Sequence, residues 1–254
     1  MSARIYSSIH PFLPFLPDIQ GDVRRAGLDG VEMPCRLLDP TLAGELSLPP
    51  ERLRGLRTSL HSDFADFNLA SANPCVRRAC VQQLRAEMAL AAQWGFAPLT
   101  FHPGTSKKSE RDEALRLLWK SLEELRSSAS SWPARLCLEN MDDKPDKLCG
   151  SEEEISHTLE RFPGLGLTVD MAHLGLRGAD IAAFMSAFDS RIAHIHVSGV
   201  RPGESHGRVS LKRSRVDFAP FLEALKDRDV AFVIENATWD LMMESRDVLE
   251  KALR

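Results

Sequence analysis

The 254-residue chain is 43% hydrophobic and 27% charged, proportions of a globular protein with one large core. They exclude a collagenous, disordered or disulfide-dense chain. Its 32 basic and 36 acidic residues leave a net charge of −4, so no overall basic field points to nucleic acid, although a local basic groove is compatible with that total. The cysteines Cys35, Cys75, Cys80, Cys137 and Cys149 are odd in number and form no Cys-x-x-Cys pair, which predicts free thiols. The N-terminus lacks an apolar signal region, and no apolar stretch approaches the roughly 18 residues of a membrane helix. The expectation is a cytoplasmic protein with no membrane association and no obligate protein partner.

Short apolar runs alternate with amphipathic ones throughout. The strand expectations in chain order are residues 4–9, 30–33, 58–61, 98–101, 135–138, 166–169, 192–197 and 231–234. The N-terminal helices, at 18–26 and 47–54, are short. The clearest helix is 74–94, where Val76, Cys80, Leu84, Met88 and Ala91 recur at helical spacing after an Asn73-Pro74 start and before Gly95. Residues 109–127 show the same periodicity, and Ser151 with Glu152–Glu154 opens a helix that ends near Phe162. Helices at 180–188, 218–226 and 241–253 complete the series. Strand–helix alternation about eight times argues for parallel strands and crossover helices.

The polar residues separate a barrel from an open sheet. Six apolar runs end on, or carry, a side chain able to ligate a divalent ion: His61, His102, Glu139, Asp170 (with His173 three residues on), His196 and Glu235. A polar loop between the last two adds Glu204 and His206. An open sheet gathers two or three such residues at a switch point, whereas a barrel delivers every strand end to one rim. The expected architecture is therefore α/β, a single (β/α)8 TIM barrel spanning 1–254. Any one of these residues is ordinarily a turn, cap or core residue, but five of the eight histidines fall in this set. Of the others, His157 is expected to be solvated and His194 to fill the barrel beside His196, with His10 open. Five imidazoles and four carboxylates suit Zn²⁺, Mn²⁺ or Fe²⁺. Nine donors exceed the four or so of one ion, which points to two or three divalent ions.

At these residues the sequence resembles the xylose isomerase-like barrel superfamily, and within it the endonuclease IV family. The segments are Ser59-Leu60-His61, Asn68-Leu69, Asn73-Pro74, Phe101-His102-Pro103-Gly104, Leu138-Glu139-Asn140, Val169-Asp170-Met171-Ala172-His173, Ile195-His196-Val197 and Val233-Ile234-Glu235-Asn236. The endonuclease resemblance implies a trinuclear zinc centre at His61, His102, Glu139, Asp170, His173, His196, His206 and Glu235, with Glu204 where that family has aspartate. It also implies phosphodiester cleavage at abasic DNA.

The sugar isomerase and epimerase branch implies one ion, usually Mn²⁺ or similar, on Glu139, Asp170, His196 and Glu235. There Glu139 and Glu235 move the proton and His173 binds substrate. The segment Gly27-Leu28-Asp29-Gly30-Val31-Glu32 is more like this branch. Gly199 departs from both branches, which commonly have aspartate there, and the 207–215 loop departs from the usual glycine-rich stretch.

The leading expectation is a zinc-dependent phosphoester hydrolase acting on damaged DNA or a small phosphorylated substrate. In it Glu139, Glu235 and His173 are catalytic, Phe64 is a wedge, and Arg208 and Lys212 hold phosphate. The alternative is a one-metal isomerase or epimerase of a small sugar or sugar phosphate. A third reading is an ion-binding barrel without turnover.

Overall fold

The computed structural model describes residues 3–39, 44, 47–127, 135–142 and 144–254. Eight parallel strands close into a barrel in sequence order. They are β1 (Arg4–Ser8), β2 (Gly30–Pro34), β3 (Arg57–His61), β4 (Leu99–Phe101), β5 (Leu136–Glu139), β6 (Gly166–Asp170), β7 (Ile192–Val197) and β8 (Ala231–Ile234). The helices among the described residues are α1 (Ile19–Arg25), α2 (Pro74–Trp94), α3 (Arg111–Ser127), α4 (Glu152–Arg161), α5 (Met171–Arg177), α6 (Ile181–Phe188), α7 (Ala219–Leu225) and α8 (Trp239–Leu253). Between β2 and β3 the described residues include two short 3-10 turns, Cys35–Leu38 and Pro50–Leu53. The second of these replaces the short helix expected at 47–54. No described helix is long and apolar enough to cross a membrane.

Local chemistry sets the helix ends. Asn73 accepts a hydrogen bond from the Cys75 amide and Pro74 occupies the first turn, while Gly95 closes α2 at φ 68°, a left-handed angle that costs glycine little. Ser151 accepts from the Glu154 amide, with three glutamates in the first turn of α4. Val76 is a correction: it faces solvent, and the buried stripe of α2 runs through Cys80, Leu84, Met88 and Ala91.

Strand parity decides what faces the barrel axis, because alternate side chains point to opposite faces. Leu60, Leu99, Phe101, Leu138, Val169, Ile195, Phe232 and Ile234 take the outer face and belong to the main core, packed under the helices. The opposite parity carries Ser59 and His61, Thr100, Cys137 and Glu139, Thr168 and Asp170, and His194 and His196. Thr100 and Thr168 hydroxyls meet at 2.8 Å between β4 and β6. Tyr6, Ala231 and Val233 form a separate small apolar cluster. The interior is thus unusually polar for a barrel filling, and the polarity rises toward the C-terminal rim.

Candidate metal centre

Each strand end delivers its side chain already oriented. His61 closes β3, and its Nδ1–H donates to the Ser62 carbonyl at 2.7 Å, which leaves Nε2 aimed at Glu139 Oε2, 3.4 Å away. His102 follows β4 and brings Nε2 to 2.9 Å from the same oxygen. Asp170 ends β6 and caps α5, accepting from the His173 amide at 2.8 Å. The cap places His173 one turn into α5, where its Nδ1–H donates to the Asn140 carbonyl at 2.9 Å and Nε2 is left without that bond. Asn140 also holds Asp170, accepting from its amide at 2.8 Å and donating to its carbonyl at 3.1 Å. On β7, His196 presents Nδ1 to Glu139 Oε1 at 3.1 Å and to Glu235 Oε1 at 3.5 Å. His206 reaches Asp170 Oδ2 at 3.1 Å and Glu235 Oε2 at 3.6 Å.

The loop that carries His206 is tied down by backbone. Asn236, after β8, donates to the carbonyls of Gly207 and Val209, and its own oxygen accepts from Ser245 on α8. Gly207 has φ 77°, and a Cβ there would stand 2.8 Å from the Glu235 carbonyl oxygen. At Gly199 a Cβ would lie 2.1 Å from the Ser210 carbonyl oxygen, so the aspartate common in the resembled families has no room. A second clasp joins the β3 and β4 loops: Asn68 accepts from the Ala70 and Thr105 amides, and Gly104 at φ 114° makes space for it.

The mouth encloses a cavity of about 310 Å³ lined by Ser8, His10, Phe64, His61, His102, Glu139, Asp170, His173, His206, Glu235 and their neighbours. His10, left open by the sequence, stands at this rim with Nδ1 3.0 Å from the Ser8 hydroxyl. Phe64 is half exposed, its ring centroid 5.8 Å from that of His61 and 5.9 Å from that of His102. Glu204 lies in an exposed turn outside the cavity lining, and Arg208 and Lys212 are exposed and also outside it. The neighbouring Arg213 pairs with Glu244 of α8. Eight of the nine expected donors therefore converge, and Glu204 does not.

One buried carboxylate packed against the centre was given no role by the sequence reading. Glu32 lies within β2, 1% exposed, against His194 and His196. The available signal was a glutamate inside the apolar run Val31-Glu32-Met33, since a charge in a strand buried on both faces needs partners.

Burial opposes ionisation throughout, and partners decide the outcome. Glu139 is held well below the ordinary carboxylate range by His196 and His102 despite burial, and Asp170 is lowered by His173 and His206. Glu235 is raised, burial outweighing His196 and His206. Glu139 lifts His61 to about 9 and Asp170 lifts His206 to about 9, each against burial, while burial lowers His102.

Donor atoms of Glu139, Asp170, His196 and Glu235 lie within 4.8 Å of one another. That spacing and this nitrogen–oxygen set fit a divalent ion with bonds of about 2.0–2.2 Å. Two further groups, His61 with Glu139 and His196, and Asp170 with His173 and His206, meet the same criterion and extend the donor field.

Residues 21–253 match the family described as xylose isomerase-like TIM barrel. An uncharacterized protein of Methanocaldococcus jannaschii, MJ1188, is 30% identical over 172 residues, 66% of this chain and 62% of that protein. A probable endonuclease 4 of Acholeplasma laidlawii is 23% identical over 156 residues, 59% of this chain and 53% of that one. Among solved structures, a D-tagatose 3-epimerase-like protein superposes with a TM-score of 0.80 at 22% identity, over 98% of this chain and 97% of its own. At that identity the likeness shows the fold.

Proposed function

The chain belongs to the xylose isomerase-like TIM barrel family, and from that premise we propose that it is a divalent-metal-dependent epimerase or isomerase of a small sugar. The observation that carries this reading is the convergence of Glu139, Asp170 and Glu235 on the lining of a sugar-sized cavity, with His196 buried against them. When bound there, a divalent ion would polarise the carbonyl and adjacent hydroxyl of the sugar.

The protein's own share is proton transfer between neighbouring carbons. Glu139 on β5 and Glu235 after β8 both reach His196 Nδ1, at 3.1 and 3.5 Å, a placement that suits a base and an acid working on two faces of one substrate. His173 is fixed by its bond to Asn140, with Nε2 free to hold a substrate hydroxyl. No lysine or arginine among the described residues lines the cavity, which favours a neutral sugar over a phosphorylated one. Full-length superposition on an epimerase-like protein supports the same reading.

Incubation of the Mn²⁺- or Zn²⁺-loaded chain with ketoses in deuterated water tests it. Deuterium should enter the sugar at a carbon beside the carbonyl, and Glu139→Gln or Glu235→Gln should reduce the exchange at least 100-fold. Absence of exchange across ketoses and ketose phosphates would refute the proposal.

A second reading, phosphoester hydrolysis at a multinuclear centre, is favoured by one observation: His61, His102 and His206 turn inward onto Glu139 and Asp170. Two or three bound ions per chain, with incision of a duplex carrying an abasic-site analogue, would establish that reading instead.

A further inference from the structure

Beneath the cavity, the carboxylate of Glu32 reaches from β2 to β7, yet does not line the cavity itself. Its Oε2 is 2.9 Å from His194 Nε2 and 3.0 Å from the Ser59 hydroxyl, which donates to it. His196 Nε2 lies 3.1 Å from Oε1 and 3.4 Å from Oε2. All three side chains, Glu32, His194 and His196, are buried from solvent. An ionised carboxylate only accepts, so both imidazoles must offer it an Nε2–H. For His196 the geometry divides the ring: Nε2 faces Glu32, Nδ1 faces Glu139 and Glu235, and an ion taken at Nδ1 would leave the Nε2–H with Glu32.

A branched aliphatic side chain would fill the same volume of a barrel interior without the cost of desolvating a charge. A glutamate supplies what an aliphatic side chain cannot, an acceptor that fixes the rotation of the His196 ring. We propose that Glu32 is a positioning residue for the metal centre, taking the Nε2–H of His196 so that Nδ1 faces the ion. His194 and Ser59 hold Glu32 in place through the remaining bonds to its carboxylate. Because Glu32 touches neither the cavity nor a substrate bound in it, its action passes entirely through His196. This role rests on the reading of His196 as a metal ligand, but not on which reaction the centre performs.

The experiment compares wild type, Glu32→Gln and Glu32→Leu, with zinc as the probe. Glutamine keeps one acceptor oxygen for Nε2–H; leucine keeps none. Zinc affinity by chelator competition should fall in the order wild type, Gln, Leu, with a loss of 10–100-fold for leucine. Ring ¹⁵N spectra of the zinc-loaded protein, assigned with His196→Gln, should show Nδ1 bound and Nε2 protonated in wild type. In the leucine variant the two nitrogens should exchange roles in part of the population. Equal affinities and an unchanged His196 spectrum in all folded variants would overturn the positioning role while leaving the metal centre standing. Wild type that binds no zinc, or binds it without a change at His196, would refute the metal-centre reading and this inference with it.

Discussion

Replacing Gly199 with alanine puts the loop geometry to a direct test. The added Cβ would stand 2.1 Å from the Ser210 carbonyl oxygen and 2.9 Å from Val209 Cγ1. Restoring ordinary contact requires the 209–210 segment to retreat by about 1 Å, an overpacking strain of about 1–3 kcal/mol. Retreat also stretches the 2.8 Å bond from the Gly199 amide to the Val209 carbonyl, worth about 1 kcal/mol. The segment cannot slide freely, because Ser210 donates to Glu244 and the Leu211 amide donates to Ser245, both on α8. The expected loss is therefore about 2–4 kcal/mol by urea unfolding. His206, carried by the same loop, should lose its 3.1 Å contact with Asp170. Gly55→Ala is the control: its φ of 84° is unfavourable for alanine, but no atom lies within 4 Å of the new Cβ, and the cost should be only about 1–2 kcal/mol. If Gly199→Ala proved no more destabilising than Gly55→Ala, the close packing of this loop would be disproved.

Two titrations complete the set. Burial lifts Glu87 to about 7, above its usual 4.5, against bonds from Ser62, the Asp63 amide and Gln83. Since the folded value is the higher one, stability should fall as pH rises from about 4.5 through about 7 and then level off. Glu87→Gln should consequently gain up to about 3 kcal/mol over wild type at pH 8 and nothing near pH 4, by urea unfolding; an equal gain at both would contradict the assignment. In the ion-free chain His61 and His206 sit at about 9, burial opposing and Glu139 or Asp170 prevailing. Their stabilisation is complete below about pH 6.5 and disappears as pH rises through about 9. An ion displacing such a proton should bind roughly tenfold more tightly per pH unit up to about pH 9. Calorimetry at pH 7.5 in buffers of different ionisation enthalpy should register proton release, and its absence would count against protonated rings.

Chain order alone determined the architecture. Strands buried on both faces read as compact apolar runs between turn signals, and all eight fall within a residue or two of their observed limits. The convergence of the candidate donors was legible for the same reason, since parity and parallel direction send His61, Glu139, Asp170 and His196 to one rim. The seven-residue α5 was not, because its cap, Asp170, is also a candidate ligand and Met171–Leu174 are all buried, leaving no amphipathic stripe to read. Nor was the fate of the loop after β7. Its sequence places Glu204, Arg208 and Lys212 beside His206, yet the tight contact at Gly199 and the Asn236 bonds turn only His206 inward.

Glu32 marks the division most sharply. Local sequence shows a carboxylate in a buried strand that must find partners, but those partners lie 162 and 164 residues away on β7. A pattern within one strand fixes which way a side chain points. Only closure of the barrel, which brings β2 and β7 around a shared interior, decides what it meets there.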